Sequence, residues 1–157
     1  MVKINSNPRL LSINTKVVLT QTDTTVGFLS QDEAKLQTIK DRNSSKPFIK
    51  VYKNFKALSS DRRRVPNSKK NLLRRAKKTT FIVKNSAFRI VEDFMNSSQL
   101  RSINWNYSTS ANEGGKNFKR DFCEEKADII IEDKNSLFEG SSSSLYKINN
   151  KKVKRLR

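Results

Sequence analysis

Short apolar runs alternate with polar, turn-forming stretches along the whole chain, a pattern that predicts many brief elements rather than a few long ones. Lys16 to Thr20 reads as a buried strand carrying Thr22, Asp23 and Thr24 to its end, where open α/β sheets bind ligands. A helix is expected next. Ser30 and Glu33 have the spacing of a capping box, Ala34, Leu36 and Ile39 supply an apolar face, and the helix ends near Arg42. Pro47 to Tyr52 predicts a second strand and Phe55 to Ser60 a short helix. Pro66 is placed to open another helix, with Leu72, Leu73 and Ala76 facing inward and its cations outward.

The second half continues in the same rhythm. Thr80 to Lys84 and Ala87 to Val91 read as a hairpin joined through Asn85 and Ser86. Phe94, Met95, Leu100 and Ile103 predict a helix, and Trp105 to Ser108 a strand feeding the loop Ser108-Thr109-Ser110-Ala111-Asn112-Glu113-Gly114-Gly115. Asn117 is expected to cap a helix that turns Phe118, Phe122 and Cys123 inward. Ala127 to Ile131 is a core strand, and Ser142 to Ile148 and Lys152 to Leu156 flank a turn at Asn149-Asn150. The mixture predicts the α/β class, and 157 residues predict one domain, 1–157.

Charge changes the picture most. Thirty-three Lys and Arg against fifteen Asp and Glu give a formal charge of +18, which draws phosphates and nucleic acid. Residues 62–78 hold Arg62, Arg63, Arg64, Lys69, Lys70, Arg74, Arg75, Lys77 and Lys78 and no acid, suiting either a solvated segment or a nucleic-acid contact. A lone Cys123 excludes an internal disulfide, and Lys3, Asn5, Ser6, Asn7 and Arg9 interrupt any secretory leader, so a cytoplasmic protein is expected. No apolar run approaches the roughly 20 residues of a membrane span, which argues against membrane insertion.

The chain has no histidine, which excludes imidazole bases, Ser-His triads and His-ligated zinc. It also lacks the P-loop and dinucleotide-binding glycine patterns, so a nucleotide would need another cradle. Lys40, Arg42 and Lys46 suit that task, because a guanidinium forks a phosphate while ammonium groups add movable charge. Cations at a helix C-terminus also simply oppose the helix dipole.

The segments Thr22-Asp23-Thr24-Thr25-Val26-Gly27, Lys40-Asp41-Arg42 with Lys46-Pro47, Thr80-Phe81-Ile82, Arg89, Ser110-Ala111-Asn112 and Ser143 run in the order of a known pattern. The chain resembles the YrdC-like family of threonylcarbamoyl-AMP synthases, from Thr22 to Arg157. Gln21 stands where that family has proline, Val26 where it has tyrosine, Lys77-Lys78 where it has Gly-Pro, and Gly114 where it has serine.

The resemblance implies a twisted mixed β-sheet with flanking helices and a concave basic site. It implies Thr24, Arg89 and Ser143 on the amino-acid substrate, and Lys40, Arg42, Lys46, Asn85, Ser110, Asn112 and Arg157 on ATP. The implied reaction takes L-threonine, bicarbonate and ATP to threonylcarbamoyl-AMP and pyrophosphate, for threonylcarbamoyladenosine in tRNA. Magnesium would ride on the ATP phosphates, with no resident metal site and no side chain assigned as acid or base. Implied partners are tRNA or other RNA at the basic surface, and tRNA-modification proteins. The alternative reading is a non-catalytic or altered YrdC-like paralogue that binds RNA, motivated by residues 62–78 and the basic stretch from Lys147 to Arg157.

Overall fold

The computed structural model describes residues 2–4, 13–41, 47–91, 100 and 102–157, the first three as backbone. It is a mixed α/β structure, the class expected from the sequence, with two compact units. One unit comprises Met1–Phe48 and Asn106–Ser141, the other Ile49–Trp105 and Ser142–Arg157.

In the first unit the strands β1 (Val2–Ile4), β2 (Val18–Gln21), β3 (Val26–Ser30), β7 (Trp105–Ser110) and β8 (Ile129–Ile131) lie in the order β1, β8, β2, β3, β7. Only β2 and β8 pair in parallel, with Val18 opposite Ile129. The helices α1 (Glu33–Lys40) and α4 (Arg120–Lys126) bury Leu36 and Cys123 in a core with Leu19, Val26, Phe28 and Ile130. Burial pushes the Cys123 thiol above its ordinary range and keeps it unreactive.

Several expectations in this unit are corrected. The strand β3 occupies Val26–Ser30, before the helix, and all five of its residues are buried, so it lacks the alternation that marks a half-exposed strand. Ser30 therefore ends a strand, its hydroxyl accepting from Asp32 N at 3.0 Å, and Asp32 is the N-cap, its carboxylate accepting from Lys35 N at 3.2 Å. Leu36 faces the core as expected, whereas Ala34 is exposed. The helix ends at Lys40, with Asp41 left-handed at φ 43°. Asn117 is exposed and caps no helix; Lys119 holds the N-cap position of α4 without a side-chain bond.

Arg120 of α4 ties to Glu124 at 2.6 Å and forks both carboxylate oxygens of Glu132, at 3.1 and 2.7 Å. The bond from Arg120, then that from Ser136, holds Glu132 at about 2, against an ordinary 4.5. A carboxylate depressed on folding stabilises the fold fully above its unfolded value, and that contribution drains away as pH falls through the folded one. The melting temperatures of the wild type and Glu132→Gln should therefore differ near neutral pH and converge between about pH 4.5 and 2. A gap that stays constant on acidification would contradict this.

The second unit holds β4 (Ile49–Tyr52), β5 (Thr79–Val83), β6 (Ser86–Ile90), β9 (Ser144–Ile148) and β10 (Val153–Arg155) in the order β4, β6, β5, β9, β10. The β4–β6 and β5–β9 pairs are parallel, the β5–β6 and β9–β10 pairs antiparallel. The β5–β6 hairpin forms as expected, but its two turn residues are Lys84 and Asn85, at φ 46° and 63°. Both angles are positive, as a tight turn matched to strand twist requires. The helix α2 spans Phe55–Ser60, where the sequence placed it, with Asn54 capping Ala57 N at 2.8 Å. After Pro66 a 3-10 turn, Asn67–Lys69, leads into α3 (Lys70–Arg75), which buries Leu73 and leaves Leu72 43% exposed, so Leu72 is not an inward residue. Of the helix expected from Phe94, Met95, Leu100 and Ile103, the first two residues lie outside the described ones, while Leu100 and Ile103 are buried as expected but in a turn, with Ile103 N donating to Leu100 O at 3.0 Å.

Tyr52, Phe81, Phe88 and Ile148 form the core of this unit. Asp61 anchors the chain after α2. It accepts from Lys50 Nζ at 2.7 Å and from the Tyr52 hydroxyl, while Arg63 Nε donates to that hydroxyl at 2.8 Å. The Lys50 ammonium also sits 3.7 Å above the centre of the Trp105 ring. Burial works against ionising Asp61, but the bonds from Lys50 and Tyr52 outweigh it and hold the carboxyl below its usual range. Burial first, then the bond to Asp61, pushes the Tyr52 phenol well above its ordinary range.

Candidate functional site

Thr24 lies buried in the loop between β2 and β3. That loop is organised by Thr22, whose hydroxyl accepts from Thr24 N and Thr25 N, both at 3.3 Å, and donates to Thr25 O at 2.6 Å. A second segment of the same unit clamps it: Val26 N donates to Phe138 O at 3.1 Å, and Gly140 N to the Thr25 hydroxyl at 3.1 Å. Gln21 contributes its carboxamide oxygen, which accepts from Phe138 N at 3.0 Å. Gln21 thus stiffens the loop by a bond.

Gly140 has a steric reason to be glycine. A Cβ built there would stand 2.0 Å from the carbonyl oxygen of Thr24, a backbone atom that cannot swing away. Gly140 lies outside the sequence motifs and Thr22 lies within one without an assigned role, and both hold Thr24 in place.

Lys40, Ser110 and Asn112 come together in the first unit. The Lys40 ammonium donates to Ser110 O at 3.1 Å, to Asn112 O at 2.6 Å and to the Asn112 carboxamide oxygen, which also accepts from the Ser110 hydroxyl at 2.8 Å. Ala111 N donates to Val26 O at 2.9 Å and sets this loop beside the start of β3, two residues past Thr24. An ammonium has three protons, and the loop oxygens take three of its bonds, so Lys40 fixes the loop's shape across 70 residues of sequence. Arg42 and Lys46 lie outside the described residues.

The second unit assembles Arg89, Ser143 and Arg157 around a residue not singled out from the sequence, Thr80. The Thr80 side chain is fully buried; its hydroxyl lies 2.8 Å from the Ser143 hydroxyl and accepts from Arg89 Nε at 3.2 Å. The antiparallel β5–β6 register brings Thr80 opposite Arg89, and the parallel β5–β9 register sets it beside the residues after Ser143. Arg157 Nε donates to Ser143 O at 3.1 Å, and the Arg157 carbonyl accepts from Leu145 N. Asn85 stands apart in the turn of the hairpin, beyond the Val83 end of β5.

Thr80 therefore links a buried guanidinium to a buried hydroxyl. Replacing it with valine keeps the shape and removes the bond, which should cost about 1–3 kcal/mol of stability. Thermal melts of Thr80→Val and Thr80→Ser test this: the serine protein, which keeps the hydroxyl, should lose much less stability than the valine protein, and a serine protein that loses as much or more would contradict the role given to the hydroxyl. The Thr-Thr-Phe-Ile-Val run was legible as a strand but gave no sign of which hydroxyl faces Arg89.

Among the described residues no group of three His, Cys, Asp or Glu is placed to hold a metal ion. No described helix is long and apolar enough to cross a membrane.

No family model and no curated protein matches the chain by sequence. Solved structures do match it by fold. A variant of Sua5 from P. abyssi superposes with a TM-score of 0.72 at 19% identity, covering 90% of this chain and 52% of that one. P. abyssi Sua5 complexed with L-threonine gives 0.68 at 19% identity, over 90% and 50%. Full-length HypF in its phosphate- and nucleotide-bound form gives 0.69 at 14% identity, over 90% of this chain and 22% of HypF. The MTH1692 protein of Methanobacterium thermoautotrophicum, solved in solution, gives 0.63 at 18% identity over 99% and 88%. The chain spans about half the length of the Sua5 structures it matches. A likeness at this identity speaks for the fold and leaves activity to the site. The chain has the YrdC-like α/β fold of Sua5.

Proposed function

We propose that the protein is an L-threonylcarbamoyladenylate synthase, joining L-threonine, bicarbonate and ATP into threonylcarbamoyl-AMP and pyrophosphate for threonylcarbamoyladenosine formation in tRNA. The observation that carries this reading is the group Arg89, Thr80 and Ser143, a buried guanidinium steadied by hydroxyls on the fold of a protein complexed with L-threonine. Guanidinium groups match carboxylates in geometry and charge, so Arg89 is assigned to the carboxylate of threonine and Ser143 to the same substrate. Thr24, in its braced loop, is assigned to threonine as well, and Ser110 and Asn112 to ATP. A related fold in a phosphate- and nucleotide-bound form supports a nucleotide on this scaffold.

In the proposed reaction the neutral amine of threonine and bicarbonate condense to a carbamate: the N–C bond forms, a C–O bond of bicarbonate breaks and water leaves. A carbamate oxygen attacks the α-phosphorus of ATP, the bond to the β-phosphate oxygen breaks, and pyrophosphate leaves. The step needs no protein base, because the attacking oxygen is already anionic; it needs positioning and neutralisation of charge. That requirement suits a chain without histidine and with a surplus of Lys and Arg. Magnesium enters with the ATP phosphates as part of the substrate. Arg42, Lys46 and Arg157 are the cations assigned to those phosphates, while Lys40 holds the Ser110–Asn112 loop in shape. Pyrophosphate release that requires threonine, bicarbonate and ATP together is the expected outcome. Release that proceeds equally without threonine would overturn the assignment.

A further inference from the structure

The Thr80 and Ser143 hydroxyls lie 2.8 Å apart, and either oxygen is close enough to give its proton to the other. The remaining neighbour of Thr80 decides the direction. Arg89 Nε carries a hydrogen and accepts nothing, so Thr80 accepts from it, at 3.2 Å. Thr80 has one proton of its own and is fully buried, and among the described residues the Ser143 oxygen is the one acceptor its hydroxyl meets. Were Ser143 the donor, the Thr80 proton would be buried with nothing to accept it, which is the costlier arrangement. The bonds therefore run one way, from Arg89 to Thr80 and from Thr80 to Ser143.

That direction fixes the chemistry of Ser143. Its oxygen accepts from Thr80, and its own proton has no acceptor among the described residues, although the residue is only 3% exposed. The backbone beside it is held on both sides: Ser143 O accepts from Arg157 Nε at 3.1 Å, and Ser144 N donates to Lys78 O at 3.0 Å. Ser143 is thus a hydrogen-bond donor of fixed place and fixed polarity.

We propose that Thr80 is a positioning residue, which sets Ser143 as a donor to the carboxylate of the amino-acid substrate. The inference rests on the synthase reading for its ligand, threonine. An ammonium group has only protons to offer and is refused by a donor, and the neutral amine needs its lone pair for bicarbonate. The side-chain hydroxyl and the carboxylate both accept, and the charged acceptor takes the stronger bond. The carboxylate is also the group assigned to Arg89, which is linked to Ser143 through the single hydroxyl of Thr80. With Nε bonded to Thr80, the side-on fork through that atom is closed to the carboxylate, and the Ser143 proton supplies another donor beside the guanidinium. Ser143 then reads the acid group common to amino acids and not the hydroxyl that distinguishes threonine.

Binding of labelled L-threonine to the full chain is measured by equilibrium dialysis. L-2-aminobutyrate, which has the shape of threonine without its hydroxyl, is measured by displacing that label. Ser143→Ala should weaken both ligands by the same factor, about tenfold or more, the scale of a bond to a charged group. Thr80→Val should weaken both by about three- to tenfold, and Thr80→Ser, which keeps the hydroxyl, should restore binding to within about twofold of the wild type. The double variant Thr80→Val with Ser143→Ala should fall short of the product of the two single effects, because one residue acts through the other. Weakening of threonine alone by Ser143→Ala would put the proton on the side-chain hydroxyl and overturn the proposal, as would a double variant that shows the full product. Should Thr80→Val fail to fold, neutron diffraction from wild-type crystals grown in heavy water decides the polarity: a deuterium carried by Thr80 and aimed at Ser143 is expected, and one carried by Ser143 and aimed at Thr80 overturns it. Wild-type protein that binds no threonine sinks the synthase reading and this inference together; wild-type protein that binds it, with Ser143→Ala binding equally well, sinks this inference alone.

Discussion

Replacing Arg89 with alanine is expected to lower threonine-dependent formation of threonylcarbamoyl-AMP by about a hundredfold or more, the scale of a lost charge-assisted pair. Arg89 is only 8% exposed and comes from β6, a strand that pairs with both β4 and β5, so its place is set by the register of the sheet. Thr80 then orients the guanidinium through Nε. The effect should fall on the Michaelis constant for threonine more than on that for ATP, because the assigned partner is the amino-acid carboxylate. Arg89→Lys keeps the charge and loses the fork, and should recover only part of the activity. Arg89→Met separates catalysis from folding, since a buried cation can often be replaced by an apolar side chain of similar size at little cost in stability. An Arg89→Met protein that is folded and fully active would remove Arg89 from the site.

Gly140→Ala is the second large effect, and it acts on the fold around Thr24. The added methyl group would lie 2.0 Å from Thr24 O, so either the Thr22–Thr25 loop or the Leu137–Gly140 segment must move. Both are pinned: Val26 N and Gly140 N hold one to the other, and Gln21 holds Phe138 N. Overpacking of this kind costs about 1–3 kcal/mol. A matching drop in thermal stability is expected, together with weaker binding of threonine by the folded fraction. A Gly140→Ala protein as stable and active as the wild type would show that the two segments separate freely.

Where local chemistry decided the structure, the sequence was readable. Phe55–Ser60 was readable as a short helix, and the β5–β6 hairpin through its turn, though Lys84 in place of Ser86 shared the turn with Asn85. Tertiary burial was not readable. Val26–Ser30 is buried on both sides, and with Gly27 and Ser30 in it the run does not look like a strand; only packing makes it one. Ser30 and Glu33 had the spacing of a cap, yet Asp32 won because Ser30 was already committed to β3.

The candidate site divides in the same way. Thr24, Arg89 and Ser143 were singled out by their order along the chain, and the structure buries all three. Thr80 and Gly140 were missed because their importance lies in what stands beside them, residues 9 and 116 positions away. Lys40 was read as a phosphate ligand; its ammonium bonds to three oxygens at Ser110 and Asn112, contacts that spacing alone could not suggest.

The most direct test of the central claim is mass-spectrometric detection of threonylcarbamoyl-AMP after the wild-type protein is mixed with ATP, magnesium, bicarbonate and L-threonine, beside Arg89→Met. Product from the wild type that requires every substrate and is lost in the folded Arg89→Met protein is the predicted result. Folded wild-type protein that yields no threonylcarbamoyl-AMP under these conditions would contradict the synthase assignment.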